Sequence, residues 1–121
     1  AGPLREALQE AREWVDEPGV LLAHQLGDFL LRVEGDSMIG DGILAGDYVL
    51  LRPGVAPQNG EIAAVQAHDE AGGEYFSTLK HLHFENNNKR IRLKASNARY
   101  DDMIFPADQV EVAGVFRGLL R

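Results

Sequence analysis

The sequence predicts a mainly β fold with a short helix at its N-terminal end. Three observations carry this. Helical spacing of apolar residues is confined to the first sixteen positions. From Phe29 onward, short segments have strand-type composition, several of them alternating. Clusters of Gly, Pro, Asp and Asn separate those segments at 40–46, 53–60, 68–73 and 85–89.

The helix is predicted over 3–16. Leu4, Ala7, Leu8, Ala11 and Val15 recur at helical spacing, with Trp14 beside them. Arg5, Glu6, Glu10, Arg12 and Glu13 fill the other positions, and Pro18-Gly19 ends the pattern. Its apolar stripe fits a surface helix over the sheet, a contact with the domain body, or a contact with a second protomer, because periodicity reports burial and not partners. Strands follow at 29–34, 47–52, 61–66, 75–84, 89–95 and 109–117. In the first, Phe29, Leu31 and Val33 alternate with Leu30, Arg32 and Glu34. In the fifth, Ile91, Leu93 and Ala95 point inward and Arg90, Arg92 and Lys94 outward. The stretch 68–74 predicts a long hairpin connection.

The fourth strand carries the first chemical signal. One of its faces is Phe76, Thr78, Lys80, Leu82 and Phe84. The other is Tyr75, Ser77, Leu79, His81, His83 and Glu85. The first face is the more apolar and is expected to pack inward, with Lys80 in its middle. Burial disfavours an ammonium ion, so such a lysine loses its proton more easily. A neutral amine can then take a proton from a hydroxyl. The bland alternative is an edge-strand lysine whose stem lies along apolar neighbours.

Ser37 supplies a hydroxyl. The first strand runs into Gly35, which can take backbone angles closed to other residues and end the strand sharply. Ser37 is then expected at a strand-to-turn junction, where backbone N–H groups of Asp36, Ser37 and Met38 could converge on an oxyanion. The bland alternative is an ordinary turn serine.

The run Phe29 to Pro53 resembles the self-cleaving serine peptidases that include the LexA repressors, the UmuD polymerase subunits and phage repressors. The matching pieces are Gly35-Asp36-Ser37-Met38, Gly42-Ile43 and Gly46-Asp47, followed by an apolar strand. Thr78-Leu79-Lys80-His81-Leu82 resembles the segment where the family carries its general-base lysine. Lys94-Ala95-Ser96-Asn97-Ala98-Arg99-Tyr100 resembles the segment after the lysine strand, and 112–117 resembles the closing strand. The resemblance covers nearly everything from Phe29 onward.

This resemblance implies a LexA/signal-peptidase-like fold of twisted antiparallel sheets, with a short N-terminal helix or a mobile cleavage segment. It implies that Ser37 is the nucleophile and Lys80 the general base and acid. It implies a cut between Ala1 and Gly2, because the family cleaves its own chain between a small residue and glycine. Gly2 precedes Ser37 by thirty-five residues, close to the family spacing. The bland reading of Ala1-Gly2 is an arbitrary start of the chain. The expected division is residues 1–27 as cleavage segment and linker or helix, and 28–121 as catalytic and dimerisation domain. A helix over 3–16 departs from the family, whose segment after the cut is usually extended. The implied partners are a second copy of the chain and a RecA–single-stranded DNA filament that promotes the cut. The resemblance calls for no metal or other cofactor. A LexA-type repressor C-terminal domain fits best, as part of the SOS response to DNA damage. A UmuD-like polymerase accessory protein is the alternative, and a dimerisation module that lost activity is a third reading. The closing strand, 109–117, offers a possible edge for the dimer.

Composition agrees with this expectation. A chain of 121 residues can bury one core. Its formal net charge is −7, so this portion is expected to repel nucleic-acid phosphates, and DNA contact would fall to an upstream domain. Zero cysteines exclude disulfides and thiol chemistry. No apolar run reaches membrane-span length and no signal peptide is visible, so a cytoplasmic protein without a membrane partner is expected. His81 and His83 share a strand face at metal-binding spacing, but lack an evident third ligand and are expected to be solvated. Asp36, Asp41 and Asp47 do not follow calcium-loop spacing and are expected to serve as turn formers. Lys89, Arg90, Arg92 and Lys94 form a small basic patch, expected to be a solvated face.

Overall fold

The computed structural model describes residues 25–68 and 75–121. The predicted helix over 3–16 and most of the 68–74 connection lie outside the described residues. Seven strands are present: β1 (Phe29–Arg32), β2 (Tyr48–Arg52), β3 (Ile62–His68), β4 (Tyr75–Glu85), β5 (Arg90–Lys94), β6 (Met103–Pro106) and β7 (Val110–Leu120). They form one antiparallel sheet in the order β1-β2-β7-β3-β4-β5-β6. The mainly β expectation holds, as a single sheet.

Strand alternation gives the sheet three buried clusters, the smallest formed by Leu30, Tyr48 and Leu50 on β1 and β2. Val33, Met38, Ile43, Val49, Leu51, Ala64 and Leu79 form one cluster. Ala63, Val65, Leu82, Ile91 and Leu93 form another. β4 feeds both, Leu79 joining the first and Leu82 the second. Each buried aliphatic side chain of this size contributes about 1.5–3 kcal/mol relative to exposure. One expectation is corrected here: β4 does not have a single inward face. Lys80 and Leu82 are buried as predicted, but Leu79 of the opposite face is buried too, and Phe76 at the strand start is exposed.

A second correction concerns the closing strand. As a whole it is not a sheet edge. Residues from Val110 to Val115 pair with β3, and residues from Val115 to Leu120 pair with β2, so β7 lies between those two strands in the sheet. Gly114 sits near this handover. A Cβ there would meet Leu51 Cβ at 2.9 Å and the Phe29 ring at 3.1 Å, so glycine lets β1 and β2 close over β7. β6 is absent from the predicted strands. It pairs with β5 from Leu93↔Met103 to Arg90↔Pro106, at the opposite edge from β1. The β4–β5 hairpin turns through Asn86, Asn87 and Asn88, with φ of 54°, 55° and 64°. Asparagine is among the non-glycine residues that best tolerate this left-handed region.

Candidate active site

The chain leaves β1 and keeps two ladder-like bonds beyond it. Val33 N donates to Asp47 O at 2.8 Å, and Gly46 N donates to Val33 O at 2.9 Å. Gly35 then takes φ +74°, the left-handed geometry that lets the strand end sharply. Met38 follows Ser37 and plunges into the first cluster at 2 % exposure. A short 3-10 turn, Ile39–Asp41, closes on Gly42. Ser37 is thereby held, half-buried, between a strand end and a buried anchor. Among the described residues, no backbone hydrogen bond uses the N–H groups of Asp36, Ser37 or Met38.

Lys80 approaches from β4. Its register partner on β3 is Ala63, a small and fully buried residue that leaves room for the lysine stem. Lys80 is 7 % exposed, and its Nζ lies 3.0 Å from Ser37 Oγ. The same nitrogen lies 2.6 Å from Thr78 Oγ1 and 3.2 Å from the Leu79 carbonyl. None of these partners is a carboxylate, and burial holds the Lys80 amine below the usual lysine range. A neutral amine has two N–H donors and one lone pair. A charged amine donates to all three partners, and a neutral one can donate to Thr78 and Leu79 while the Ser37 hydroxyl donates to its lone pair. Thr78 was not singled out by sequence reasoning. Its signal is the strand period, which places it two residues from Lys80 on the same face.

The stretch after β5 clamps the serine turn. Ser96 N donates to Ser37 O at 2.8 Å, and Gly40 N donates to Ser96 O at 2.6 Å. Asn97 Nδ2 donates to Asp36 O at 2.9 Å. The Tyr100 hydroxyl donates to the Asp36 carboxylate, and that hydrogen bond, with burial and the Asp36 charge adding, holds the phenol above its usual range. The quoted segment from Lys94 to Tyr100 therefore supports the serine turn from outside the β1–β2 region.

Other expected sites resolve differently. Asp47 is a turn former, its Oδ2 accepting from Leu44 N at 2.8 Å. Asp36 and Asp41 instead make longer-range bonds, to Tyr100 and His81. His81 is not simply solvated: its ring contacts Gly60 O at 2.8 Å and Asp41 Oδ2 at 2.7 Å. Arg92 does not belong to a free basic patch, because it pairs with Glu85 and Asp102. Ala1 and Gly2 lie outside the described residues. Among those residues, no helix is long and apolar enough to cross a membrane.

Residues 1–117 match the Peptidase S24-like family, and the chain belongs to it. It is 41% identical over 122 residues to a LexA repressor of Gluconacetobacter diazotrophicus, covering 100% of this chain and 45% of that protein. It is 39% identical over 109 residues to a LexA repressor of Deinococcus radiodurans, covering 89% of this chain and 49% of that protein. It is 35% identical over 121 residues to a LexA repressor of Thermotoga neapolitana, covering 100% of this chain and 57% of that protein. The chain thus spans about half the length of these relatives.

Proposed function

We propose that this Peptidase S24-like chain is the self-cleaving C-terminal domain of a LexA-type repressor, with Ser37 as nucleophile and Lys80 as general base. The observation that carries the reading is the 3.0 Å approach of a buried lysine amine to a half-buried serine hydroxyl. Neutral Lys80 accepts the Ser37 proton, and the serine oxygen attacks the Ala1 carbonyl carbon. The backbone N–H groups of Asp36, Ser37 and Met38 receive the negative charge that develops on the carbonyl oxygen. As the Ala1–Gly2 bond breaks, Lys80 returns the proton to the Gly2 amine. Water then attacks the ester on Ser37, giving up a proton to Lys80, which passes it to the departing Ser37 oxygen; the Ala1 acid leaves and ionises in solvent. Because the scissile bond belongs to the same chain, high effective molarity offsets a modest nucleophile.

In this reading residues 1–27 form the cleavage segment and linker, and 28–121 the catalytic and dimerising body. The protein acts as a cytoplasmic homodimer, contacts DNA through an upstream domain, and is cut when a RecA–single-stranded DNA filament signals DNA damage. The acidic charge of this chain, −7, supports assigning DNA contact elsewhere. The test is intact-mass analysis of the full-length protein, incubated with and without the filament. A filament-accelerated cut between Ala1 and Gly2 is the expected result. A protein left whole in every condition would instead be a dimerisation module.

A further inference from the structure

Asp36 directly precedes Ser37. An aspartate in such a turn ordinarily bonds its own backbone two residues on, which here is the Met38 N–H. Among the described residues that bond is not made. The Asp36 carboxylate accepts from the Tyr100 hydroxyl instead, sixty-four positions away in sequence. The Asp36 carbonyl is held by the same stretch of chain, accepting from Asn97 Nδ2 at 2.9 Å. We propose that Tyr100 is a positioning residue for the reaction proposed above: by holding the Asp36 carboxylate, it keeps the Met38 N–H free to receive the substrate oxygen.

The rest of the turn supports the assignment. A trans peptide is planar, with its C=O and N–H pointing opposite ways. Asn97 holds the carbonyl of the peptide that carries the Ser37 N–H. Ser96 N, at 2.8 Å, holds the carbonyl of the peptide that carries the Met38 N–H. Both N–H groups are therefore aimed away from the 96–100 stretch. A carbonyl that accepts a hydrogen bond also polarises its own N–H into a better donor. A loose carboxylate beside those donors is the natural competitor. It would occupy the Met38 N–H with a charge-assisted bond and repel a neighbouring oxyanion. Tyr100 removes that competitor from the end of the same stretch. Its side chain is exposed, so its contribution is the hydroxyl's hydrogen bond and not core packing.

This role rests on the peptidase reading, and the test separates the two. Single-turnover self-cleavage of the full-length protein is followed by intact mass at one pH. Tyr100→Phe should cut roughly tenfold more slowly than wild type, with a urea midpoint close to wild type. In an Asp36→Ala background there is no carboxylate to hold. Adding Tyr100→Phe there should change the rate by less than about twofold. A second readout needs no cutting. In Ser37→Ala protein, which stays whole, Tyr100→Phe should move the Met38 amide proton downfield as the carboxylate takes it. Should Asp36→Ala by itself stop the cut, that amide shift decides. A Tyr100→Phe protein that cuts at the wild-type rate, an equal slowing in both backgrounds, or a Met38 amide that does not move overturns the role of Tyr100 alone. A wild type that never cuts refutes the peptidase reading, and the role of Tyr100 falls with it.

Discussion

Thr78 Oγ1 lies 2.6 Å from Lys80 Nζ, closer than the 3.0 Å that separates the same amine from Ser37 Oγ. The threonine hydroxyl therefore aims the lysine as much as the serine does. Two residues apart on one strand face, the pair is fixed by β4 itself, not by a loop. Thr78→Val keeps the shape and deletes the acceptor. One hydrogen bond is worth about 1 kcal/mol, so self-cleavage should slow by roughly five- to tenfold. Thr78→Ser should restore most of the rate. Single-turnover cleavage of the three proteins checks this.

Lys80 also makes a prediction about stability. Burial lowers its folded-state affinity for a proton. Between the folded and unfolded lysine ranges the unfolded chain binds more protons, so raising the pH through that window favours the folded state. Below the window the lysine is charged in both states and its full desolvation cost is present. Lys80→Met should therefore stabilise the domain at neutral pH, and the gain should shrink as pH climbs toward the ordinary lysine value. Urea unfolding at several pH values measures the trend. A gain that grows with pH would contradict it.

Gly40 predicts a steric failure. A Cβ there would lie 2.5 Å from Ser96 O and 2.9 Å from Ser96 Oγ, and Gly40 N already donates to that carbonyl at 2.6 Å. Gly40→Ala must push the serine turn off its clamp. Overpacking of this kind costs about 1–3 kcal/mol. The expected outcome is a lower melting temperature with slower cleavage, measured by calorimetry beside the activity assay.

Asn97 predicts a milder loss. Its amide donates to Asp36 O and its Oδ1 accepts from Arg99 N at 3.0 Å. Asn97→Ala removes both bonds and should cost on the order of 1 kcal/mol, seen as a lower urea midpoint with an unchanged slope.

Much of this was legible in the chain because two local signals agree. Gly35 ends a strand in left-handed geometry just before Ser37, and alternation along β4 places Lys80 on a buried face. Those are nearest-neighbour facts that a sequence carries directly. What escaped is set by tertiary pairing. Met103–Pro106 becomes a strand because β5 offers it a partner, and four residues ending in proline carry little strand signal of their own. The central place of β7 follows from strand order, which alternation cannot report. His81 reads as solvated until the serine turn brings Asp41 against it.

The central claim is that a neutral Lys80 activates Ser37. The most direct measurement is the rate of self-cleavage against pH, read by intact mass on full-length wild type beside Ser37→Ala and Lys80→Ala. The account predicts a rate that climbs by close to tenfold per pH unit while the amine is still charged, as expected for a single ionising base. It predicts a cut between Ala1 and Gly2, and losses on the order of 10²-fold or more in both variants. A Lys80→Ala protein that cuts at the wild-type rate, or a wild-type rate that is flat with pH, would contradict it.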